Sequence, residues 1–381
     1  MTIYLDNAAS SHPKPELVYR AVEEVLRNVG ANPGRSGHKP AMLASRKIAQ
    51  TRSLLAQLFD IKDPNRIVFT TNATEAINLG LKGLLIPGDH VITSSMEHNS
   101  VIRPLRFLET NGIELTVVPC TSLGQIKTPA IEKAIQKNTR LIVLTHASNV
   151  TGGLMPISEV ADLAHKHGLL FMVDAAQTAG LVPISVAEMG IDLLAVPGHK
   201  GLMGPQGTGC LSIGSEISLR PLKEGGTGSQ SELESQPDFL PDRMESGTLN
   251  TPGLAGLGAG VDFLLQQGLE KIRKKEMSLS RILWNGLKQN KKVRLYGPEQ
   301  AEERTSTISF NIADLNPQAI ASILDSAYDI AVRAGLHCAA LAHRSLGTFP
   351  EGTVRVSPGF FNTENDIDFF LQAITAISKK V

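Results

Sequence analysis

The chain has 381 residues, of which 42% are hydrophobic and 19% are charged, and its 37 basic and 37 acidic side chains give a formal net charge of zero. This length and composition predict a folded protein with one large and one smaller domain, and they argue against a disordered or fibrous chain. A neutral chain whose lysines and arginines are scattered lacks the basic excess needed to bind a phosphate backbone, so we expect no nucleic-acid partner.

The first fifteen residues, MTIYLDNAASSHPKP, contain acidic, amide and proline residues where a signal peptide needs an apolar stretch. No later apolar run reaches membrane-spanning length, and we therefore expect a cytoplasmic protein without a membrane partner. The three cysteines, Cys120, Cys210 and Cys338, cannot all pair and show no C-x-x-C spacing. A disulfide framework and a structural zinc site are both unexpected, and we predict no metal site.

Seven short apolar runs alternate with helical patterns between residues 66 and 213. The runs are RIVFT, HVITSS, LTVVP, RLIVLTHAS, LLFMVDAA, LLAVPG and TGCLSIG. This alternation predicts an α/β fold with a doubly wound, mainly parallel sheet. Because open α/β sheets bind ligands at the carboxyl ends of their strands, the polar residues that follow these runs are candidates for one pocket. These residues are Thr74, Glu75, His98, Asn149, Asp174 and Lys200.

The last third of the chain has a different organisation. Residues 224 to 251 are rich in Gly, Ser, Glu and Pro and predict a long loop that is either functional or disordered. After it come a helical pattern at 261 to 289, strands at VRLYG and STISFNI, a helix at PQAIASILDSAY, a loop at AVRAGLHCAALAHRSLGTFPEG, a strand at TVRVS, and a helix near 364 to 379 capped by Asn362 or Thr363. We expect a large domain at residues 15–262 and a small α+β domain at 263–381, joined by the N-terminal segment 1–14.

Asp174 and Lys200 each follow a predicted strand. A buried carboxylate at a sheet edge needs a cationic partner, which a protonated pyridine nitrogen would supply; a helix cap or a structural ion pair is the alternative for Asp174. Lys200 lies among glycines in VPGHKGLMGPQGTG, where desolvation would let it lose its proton and react with an aldehyde. An exposed lysine in a glycine-rich turn is the alternative, and a Walker motif is excluded because GK[ST] is missing.

The segment FTTNATEAINLGLKGL places Thr71, Asn72 and Thr74 at the start of an amphipathic helix that directly follows a strand. Free backbone N–H groups and hydroxyls at such a helix start favour a phosphate site. Simple N-capping of the helix by threonine is the alternative interpretation.

These motifs, in this order, resemble the class V aminotransferase family of fold-type I pyridoxal 5'-phosphate (PLP) enzymes, and within it the cysteine desulfurase and selenocysteine lyase branch. The resemblance covers nearly the whole chain and rests on YLDNAAS, TEAIN, MEHNSVIRP, HASNVTGG, VDAAQ, GHKGLMGPQGTG, ESGTLNTPG and VRAGLHCA. It implies a PLP cofactor, transfer of sulfur from L-cysteine or L-selenocysteine, and L-alanine as product. It also implies a homodimer with shared active sites and a separate sulfur-acceptor protein, with iron–sulfur cluster assembly among the pathways supplied.

The resemblance assigns roles to residues around the cofactor. Lys200 would bind PLP covalently, Asp174 would pair with the pyridinium nitrogen, and Gln177 would contact the phenolic oxygen. His98 would stack on the pyridine ring and move protons. Three residues of this chain would hold the phosphate, and a fourth would reach it from the partner subunit: Ala73, Thr74 and His199, and then Thr248. The substrate's carboxylate would be bound by Asn149 and Arg355.

Cys338 decides the branch within the family. It lies near Arg333 and His337, and a neighbouring cation favours the nucleophilic thiolate. In desulfurases the equivalent cysteine attacks the sulfur of the substrate, whereas a buried structural cysteine is the alternative. Cys120 and Cys210 have the character of small apolar core residues.

The chain departs from the family pattern at two places. Leu336 and His337 precede Cys338 where many relatives have two histidines, and Pro197 stands where relatives often have a serine that contacts the phosphate. Besides a selenocysteine lyase, two other functions stay open on the sequence. One is a class V aminotransferase that needs no nucleophilic cysteine, and the other is a non-catalytic sulfur-carrier scaffold.

Overall fold

The computed structural model describes residues 2–34 and 37–379. The strands are β1 (Ile3–Tyr4), β2 (Ile67–Thr70), β3 (His90–Ser94), β4 (Glu114–Val118), β5 (Thr139–Thr145), β6 (Leu170–Asp174), β7 (Leu193–Pro197), β8 (Gly209–Ile213), β9 (Val293–Tyr296), β10 (Ile308–Ile312), β11 (Ile330–Ala331), β12 (Arg333–Gly335) and β13 (Thr353–Val356). The α-helices are α1 (Glu16–Glu24), α2 (Lys39–Phe59), α3 (Ala73–Leu84), α4 (Asn99–Glu109), α5 (Thr128–Glu132), α6 (Ile157–Lys166), α7 (Thr251–Gln267), α8 (Leu269–Gln289), α9 (Pro317–Tyr328), α10 (Ala340–Leu346) and α11 (Glu364–Ser378). Short π and 3₁₀ turns lie at Val25–Val29, Pro64–Arg66 and Ala301–Glu303.

A seven-stranded sheet has the strand order β2-β8-β7-β6-β5-β3-β4. Strands β7, β6, β5, β3 and β4 run parallel, whereas β8 lies antiparallel between β2 and β7. Alternate residues of each strand contribute to two apolar clusters on the two faces of the sheet, because successive side chains of a strand point to opposite sides. All seven predicted strands are present, and the predicted fold class is confirmed.

The carboxyl ends of six strands lie at one edge of this sheet. The strands β3, β4, β5, β6 and β7 are parallel, and β2 runs in the same direction because both β2 and β7 are antiparallel to β8. Their last residues are Thr70, Ser94, Val118, Thr145, Asp174 and Pro197. The sequence prediction of a pocket at this edge therefore has the topology that it requires.

A four-stranded antiparallel sheet, β12-β13-β10-β9, lies in the C-terminal part of the chain. Its apolar core includes residues of α8, α9 and α11. The N-terminal strand β1 pairs in parallel with β11, which brings the first residues of the chain to this part of the molecule. The division into domains at residues 15–262 and 263–381 stays a prediction.

Three details differ from, or sharpen, the prediction for this part of the chain. The helical pattern at 261 to 289 is interrupted at Gly268, whose φ of 78° ends α7 and starts α8. The segment predicted as a loop around Cys338 contains β12 and α10, which are too short to show a periodic pattern. Of the two candidate caps of α11, Thr363 is the one observed: it forms a capping box with Asp366.

No helix or strand lies between β8 and α7, a stretch that is described throughout, so the predicted long loop is confirmed. Among the described residues, none of the helices has both the length and the apolar composition needed to cross a bilayer.

Candidate active site

A cleft of about 200 Å³ opens at the carboxyl ends of β5, β6 and β7 and at the starts of α3 and α4. Eight of the predicted site residues line it: Ala73, Thr74, His98, Asn149, Asp174, Gln177, His199 and Lys200. Thr248, Arg355 and Cys338 do not belong to this lining. The sequence therefore predicted most of the residues that line the cleft, and the other three predicted residues lie outside this lining.

Lys200 follows β7 in a tight turn. The turn needs a glycine at Gly198, because a Cβ there would collide with the side chain of Thr208. The pKa of the Lys200 ammonium is lowered to about 8, mainly by burial and also by the charges of Arg355 and Arg333, whereas Asp174 and Asp6 oppose this shift. A lysine in this environment supplies a free amine at mildly alkaline pH, as a nucleophile toward an aldehyde must.

Asp174 is the last residue of β6 and is only 2% exposed. Its Oδ1 accepts a hydrogen bond of 2.9 Å from the backbone N–H of Ala176. Burial raises the pKa of this carboxyl, whereas the Ala176 N–H and the charge of Lys200 lower it. A carboxylate this deeply buried is favourable only with a cation or strong donor nearby, and a protonated pyridine nitrogen is such a group.

His98 is the N-cap of α4, and its Nδ1 accepts a hydrogen bond of 3.0 Å from the backbone N–H of Ser100. This bond assigns the ring proton to Nε2. Burial lowers the pKa of His98 to about 4, and Lys200 and three arginines act in the same direction. The Ser100 hydroxyl also lies 2.8 Å from both His98 Nδ1 and Thr74 Oγ1. His98 is therefore a neutral, fixed imidazole that can hold or pass on a proton.

The start of α3 also lines the cleft. Asn72 caps this helix by accepting from the N–H of Glu75 at 2.9 Å, and the first-turn N–H groups of Ala73 and Thr74 have no partner within the helix. The buried Nδ1 of His199 also has no hydrogen-bond partner among the described residues. Such a set of donors suits an oxyanion such as phosphate.

The cleft thus meets the requirements of PLP at three points. It offers an anion site at the start of α3, a buried carboxylate for the ring nitrogen, and a lysine with a lowered pKa. Gln177 also lines the cleft, and its Nε2 donates to the backbone oxygen of Ala8 at 3.2 Å. Pro197 lies at the position where a serine would have supplied one more donor, so the helix start and His199 are the donors that remain.

Arg355 is connected to the cleft through Asn149. The guanidinium is 1% exposed; its Nη1 donates to the backbone oxygen of Asn149 at 3.0 Å, and its Nη2 donates to Asp6 Oδ1 at 2.8 Å. Its Nε has no partner among the described residues. Asn149 itself lines the cleft and donates from Nδ2 to the backbone oxygen of His337 at 2.7 Å. The two predicted carboxylate-binding residues therefore contact each other.

Cys338 is exposed, and its Sγ accepts a hydrogen bond of 3.5 Å from Arg333 Nη2. Its backbone oxygen accepts from the N–H of Asn99 at 2.8 Å, directly beside His98. His337 and Cys338 both adopt left-handed φ values, 48° and 58°, which cost non-glycine residues roughly 1–2 kcal/mol each. The bonds from Asn149 and Asn99 hold the backbone of this strained pair next to two residues that adjoin the cleft, Asn149 and His98.

The expectation that His337 supplies a cation beside Cys338 is wrong. Its Nε2 lies 3.1 Å from both the backbone oxygen and the hydroxyl of Thr353, so the ring points to β13. Burial and the neighbouring Arg355 lower the pKa of His337 far below neutral pH. Arg333 is therefore the cation that contacts the thiol. Within the described residues, no group of His, Cys, Asp and Glu side chains is arranged to hold a metal ion.

Thr248 lines a neighbouring pocket instead of the cleft. It shares that pocket with Thr71, Glu75 and Lys223, next to the start of α3. Its predicted contact with the phosphate of a partner subunit stays a prediction.

Sequence reasoning missed Asp6 and Glu97. Asp6 stands in YLDNAAS, whose acidic residue was a visible signal, and it pairs with Arg355. Glu97 stands beside His98 and is fully buried; its Oε2 accepts from the N–H of Thr145 at 2.9 Å and its Oε1 lies 2.5 Å from the Ser94 hydroxyl. Burial raises its pKa to about 8.

The sequence matches the family described as "Aminotransferase class-V" over residues 3–370. It is 35% identical to a "Probable cysteine desulfurase" of Methanothermobacter thermautotrophicus, with 99% of this chain and 94% of that protein covered. It is 33% identical to a "Cysteine desulfurase" of Yersinia pseudotuberculosis, with 99% and 93% covered.

Solved structures agree with these relatives. The apo structure of a cysteine desulfurase from Thermococcus onnurineus NA1 superposes with a TM-score of 0.94 at 33% identity and covers 100% of this chain and 95% of that one. The cysteine desulfurase CsdA of Escherichia coli gives 0.89 at 29% identity, with the same coverage. Class V aminotransferases and cysteine desulfurases depend on PLP, so the predicted cofactor is confirmed. The chain belongs to the class V aminotransferase family.

Proposed function

We propose that this protein is a cysteine desulfurase, which converts L-cysteine to L-alanine and transfers the sulfur to Cys338 as a persulfide. The names of its relatives support the reaction class. The observation that carries the proposal is the position of Cys338: an exposed thiol is hydrogen-bonded to Arg333, and its backbone is held beside His98 at the cleft. A class V aminotransferase without sulfur chemistry has no use for such a thiol.

The substrate's carboxylate is the group that Arg355 is suited to bind. Its Nε and the second hydrogen of each Nη are available for an anion, because the observed contacts use one hydrogen of each Nη. Asn149 lines the cleft and joins this arginine to the loop of Cys338. Binding a carboxylate here orients the amino acid relative to both Lys200 and the thiol.

Lys200 and His98 provide for proton movement at the reacting carbons. When bound, PLP withdraws electrons from the substrate and weakens the bond between its α-carbon and hydrogen. The amine of Lys200, with its pKa near 8, can accept and return a proton at this carbon. The neutral His98 can hold a proton at Nε2 within the same cleft.

The sulfur transfer itself is a displacement by the Cys338 sulfur. A new S–S bond forms to the sulfur of the substrate, the substrate's C–S bond breaks, and its electron pair goes to the carbon that becomes the methyl group of alanine. The thiol proton of Cys338 and the proton that leaves the α-carbon balance the protons gained by alanine. The Arg333 guanidinium stabilises negative charge on sulfur during this step.

Four further points belong to this proposal. We infer a homodimer in which Thr248 reaches the phosphate of the partner subunit, because its pocket adjoins the start of α3. A separate acceptor protein would collect the persulfide sulfur from the exposed Cys338. A cytoplasmic location and supply of sulfur to iron–sulfur cluster assembly complete the proposal. L-Selenocysteine is the alternative substrate, and its use would not require Cys338.

The test measures alanine and sulfide formed from L-cysteine and a reductant by PLP-loaded protein. Wild type and Cys120→Ala should both form alanine, whereas Cys338→Ala should lose about 100-fold or more of the rate. Equal rates of Cys338→Ala and wild type would point to a cysteine-independent lyase. Amino-group transfer to a keto acid by both proteins would indicate an aminotransferase. The absence of any reaction with amino acids would indicate a non-catalytic scaffold.

A further inference from the structure

The backbone oxygen of His199 accepts hydrogen bonds from three donors of the N-terminal segment. They are the Ser11 N–H at 3.1 Å, the Ser10 hydroxyl at 3.2 Å and the Lys14 ammonium at 2.8 Å. The Ser11 hydroxyl lies 3.3 Å from the same oxygen, but its single hydrogen is shared with the nearer Lys200 oxygen at 2.8 Å. One peptide carbonyl with this many donors is unusual, because an oxygen offers two lone pairs.

Lys14 makes the shortest of these bonds, and its position costs solvation. Its ammonium donates to the His199 oxygen and to the Ser11 hydroxyl, both at 2.8 Å. Over residues 2–34 and 37–379, no carboxylate lies within ion-pair distance of it. Burial lowers the pKa of Lys14 to about 8. A partly buried cation whose partners are neutral is unfavourable unless its charge strengthens those hydrogen bonds.

The opposite side of the same turn is already fixed by the sheet domain. Gly198 N–H donates to the Thr208 oxygen, and Gly204 N–H donates to the Gly198 oxygen, both at 2.8 Å. The peptide that joins His199 to Lys200 lies between these bonds and the N-terminal segment. Its orientation sets where the His199 ring and the Lys200 side chain enter the cleft, and among the described residues every hydrogen bond to its carbonyl comes from the N-terminal segment.

We propose that Lys14 is a positioning residue, whose cation clamps the His199 carbonyl and thereby orients Lys200 and His199 for attachment of PLP. Ser11 supports it by bonding both carbonyls of the pair. This inference rests on the proposed function only through the cofactor, not through the sulfur chemistry. It gives the SHPKP segment, which the site assignments left unused, a role in the reaction.

The experiment titrates apoprotein with PLP and determines the dissociation constant from visible absorption. It also measures how much PLP borohydride reduction attaches permanently to Lys200. Lys14→Met keeps the length of the side chain without its charge, and should bind PLP about tenfold or more weakly. Lys14→Arg keeps a charged donor and should restore affinity to within roughly threefold of wild type. The matched control is Lys166→Met, an exposed lysine on α6, which should bind like wild type.

Thermal unfolding of each apoprotein separates positioning from folding. Equal midpoints of the apoproteins, with a smaller PLP-induced rise for Lys14→Met, agree with positioning. If Lys14→Met does not fold, Ser11→Ala tests the inference instead, and we expect it to bind PLP about threefold more weakly than wild type. Wild-type affinity in Lys14→Met, or in Ser11→Ala when it has to decide, overturns the inference. No alanine from wild type, with the PLP differences intact, overturns the desulfurase proposal alone.

Discussion

Asp6 Oδ1 lies 2.8 Å from Arg355 Nη2, and the two residues are 349 positions apart in the chain. The contact depends on the pairing of β1 with β11 and on a bridge between Asp6 and Ser357, which carry the N-terminal segment across the small sheet. Asp6 lowers the cost of burying the guanidinium, and its hydrogen bond fixes the position of Nη2. The N-terminal segment is thus part of the proposed substrate-binding site.

Asp6→Asn should reduce kcat/KM for L-cysteine by about tenfold, mainly through KM. The amide can still accept one hydrogen bond but no longer neutralises or orients the guanidinium fully, which weakens carboxylate binding. Steady-state kinetics with saturating PLP measure the effect, and Asp162→Asn on the exposed face of α6 is the control. A fall in kcat with unchanged KM would contradict this role.

The attachment of PLP to apoprotein should depend on pH with an inflection near 8. The amine of Lys200 reacts only when unprotonated, and burial depresses its pKa from 10.5 to about 8. The rate should therefore rise about tenfold per pH unit below that value and level off above it. Stopped-flow visible absorption gives the profile. A rate that keeps rising past pH 9 by the same factor would mean that the lysine is not desolvated.

Arg333 offers a second test of the same environment. Its charge helps to depress the pKa of Lys200, so Arg333→Met should move the inflection of the attachment profile to higher pH. Arg106→Met, an exposed residue paired with Glu109, should leave the inflection in place. An unchanged profile in Arg333→Met would mean that Arg333 does not contribute to the shift, which leaves burial and Arg355 as its causes.

The large sheet was predictable because buried parallel strands appear in a sequence as continuous apolar runs. Residues at the ends of those runs, such as Asp174 and Lys200, follow from the topology alone. The helix α10 and strand β12 were missed because seven and three residues are too few for a periodic pattern. His337 was misinterpreted because proximity in sequence to Cys338 does not tell which way a side chain turns, and Thr353 binds its ring.

The contacts of Asp6, Ser11 and Lys14 could not be predicted from the sequence for a different reason. They join residues 185 or more positions apart, and nothing in the local pattern identifies the partner. Thr248 adds a further limit, because its expected target lies on a second chain. The motif YLDNAAS marks the segment as notable, yet only the assembled fold shows which carbonyl and which guanidinium it serves.

Glu97→Gln should stabilise the protein at alkaline pH relative to wild type. The folded-state pKa of Glu97 is raised to about 8, so the folded protein binds a proton that the unfolded chain loses near 4.5. The wild type therefore loses stability as pH rises from about 4.5 to 8, whereas a glutamine, which donates to Ser94 and accepts from Thr145, does not.

Urea unfolding at acidic and alkaline pH checks this expectation. The difference in unfolding free energy between Glu97→Gln and wild type should grow with pH by at least about 1 kcal/mol. Glu188→Gln, at an exposed position, controls for the general effect of removing a negative charge. A difference that stays constant with pH would mean that Glu97 is ionised in the folded protein.

The ion pair of Arg52 and Glu245 should be the main anchor of the 224–251 loop. Both side chains are at most 7% exposed; Nη1 and Nη2 lie 2.8 Å from Oε1 and Oε2, and Oε1 also accepts from the N–H of Phe69 at 2.6 Å. Arg52→Met would leave a buried carboxylate without its cation, and should lower the free energy of unfolding by about 3–5 kcal/mol. Urea denaturation followed by circular dichroism measures the loss.

The double variant Arg52→Met with Glu245→Gln should recover much of that loss, because the amide oxygen can still accept from Phe69 and no unpaired charge remains buried. Arg20→Met, which breaks an exposed pair with Glu16, should change stability by less than about 1 kcal/mol.

Since Thr248 follows Glu245 by three residues, release of the anchor should also weaken PLP binding in the proposed dimer, where the threonine of each chain contacts the phosphate bound to its partner. A single variant as stable as wild type would show that the Glu245 carboxyl does not need the charge of Arg52, and that packing of Met244 and Leu249 holds the loop in place.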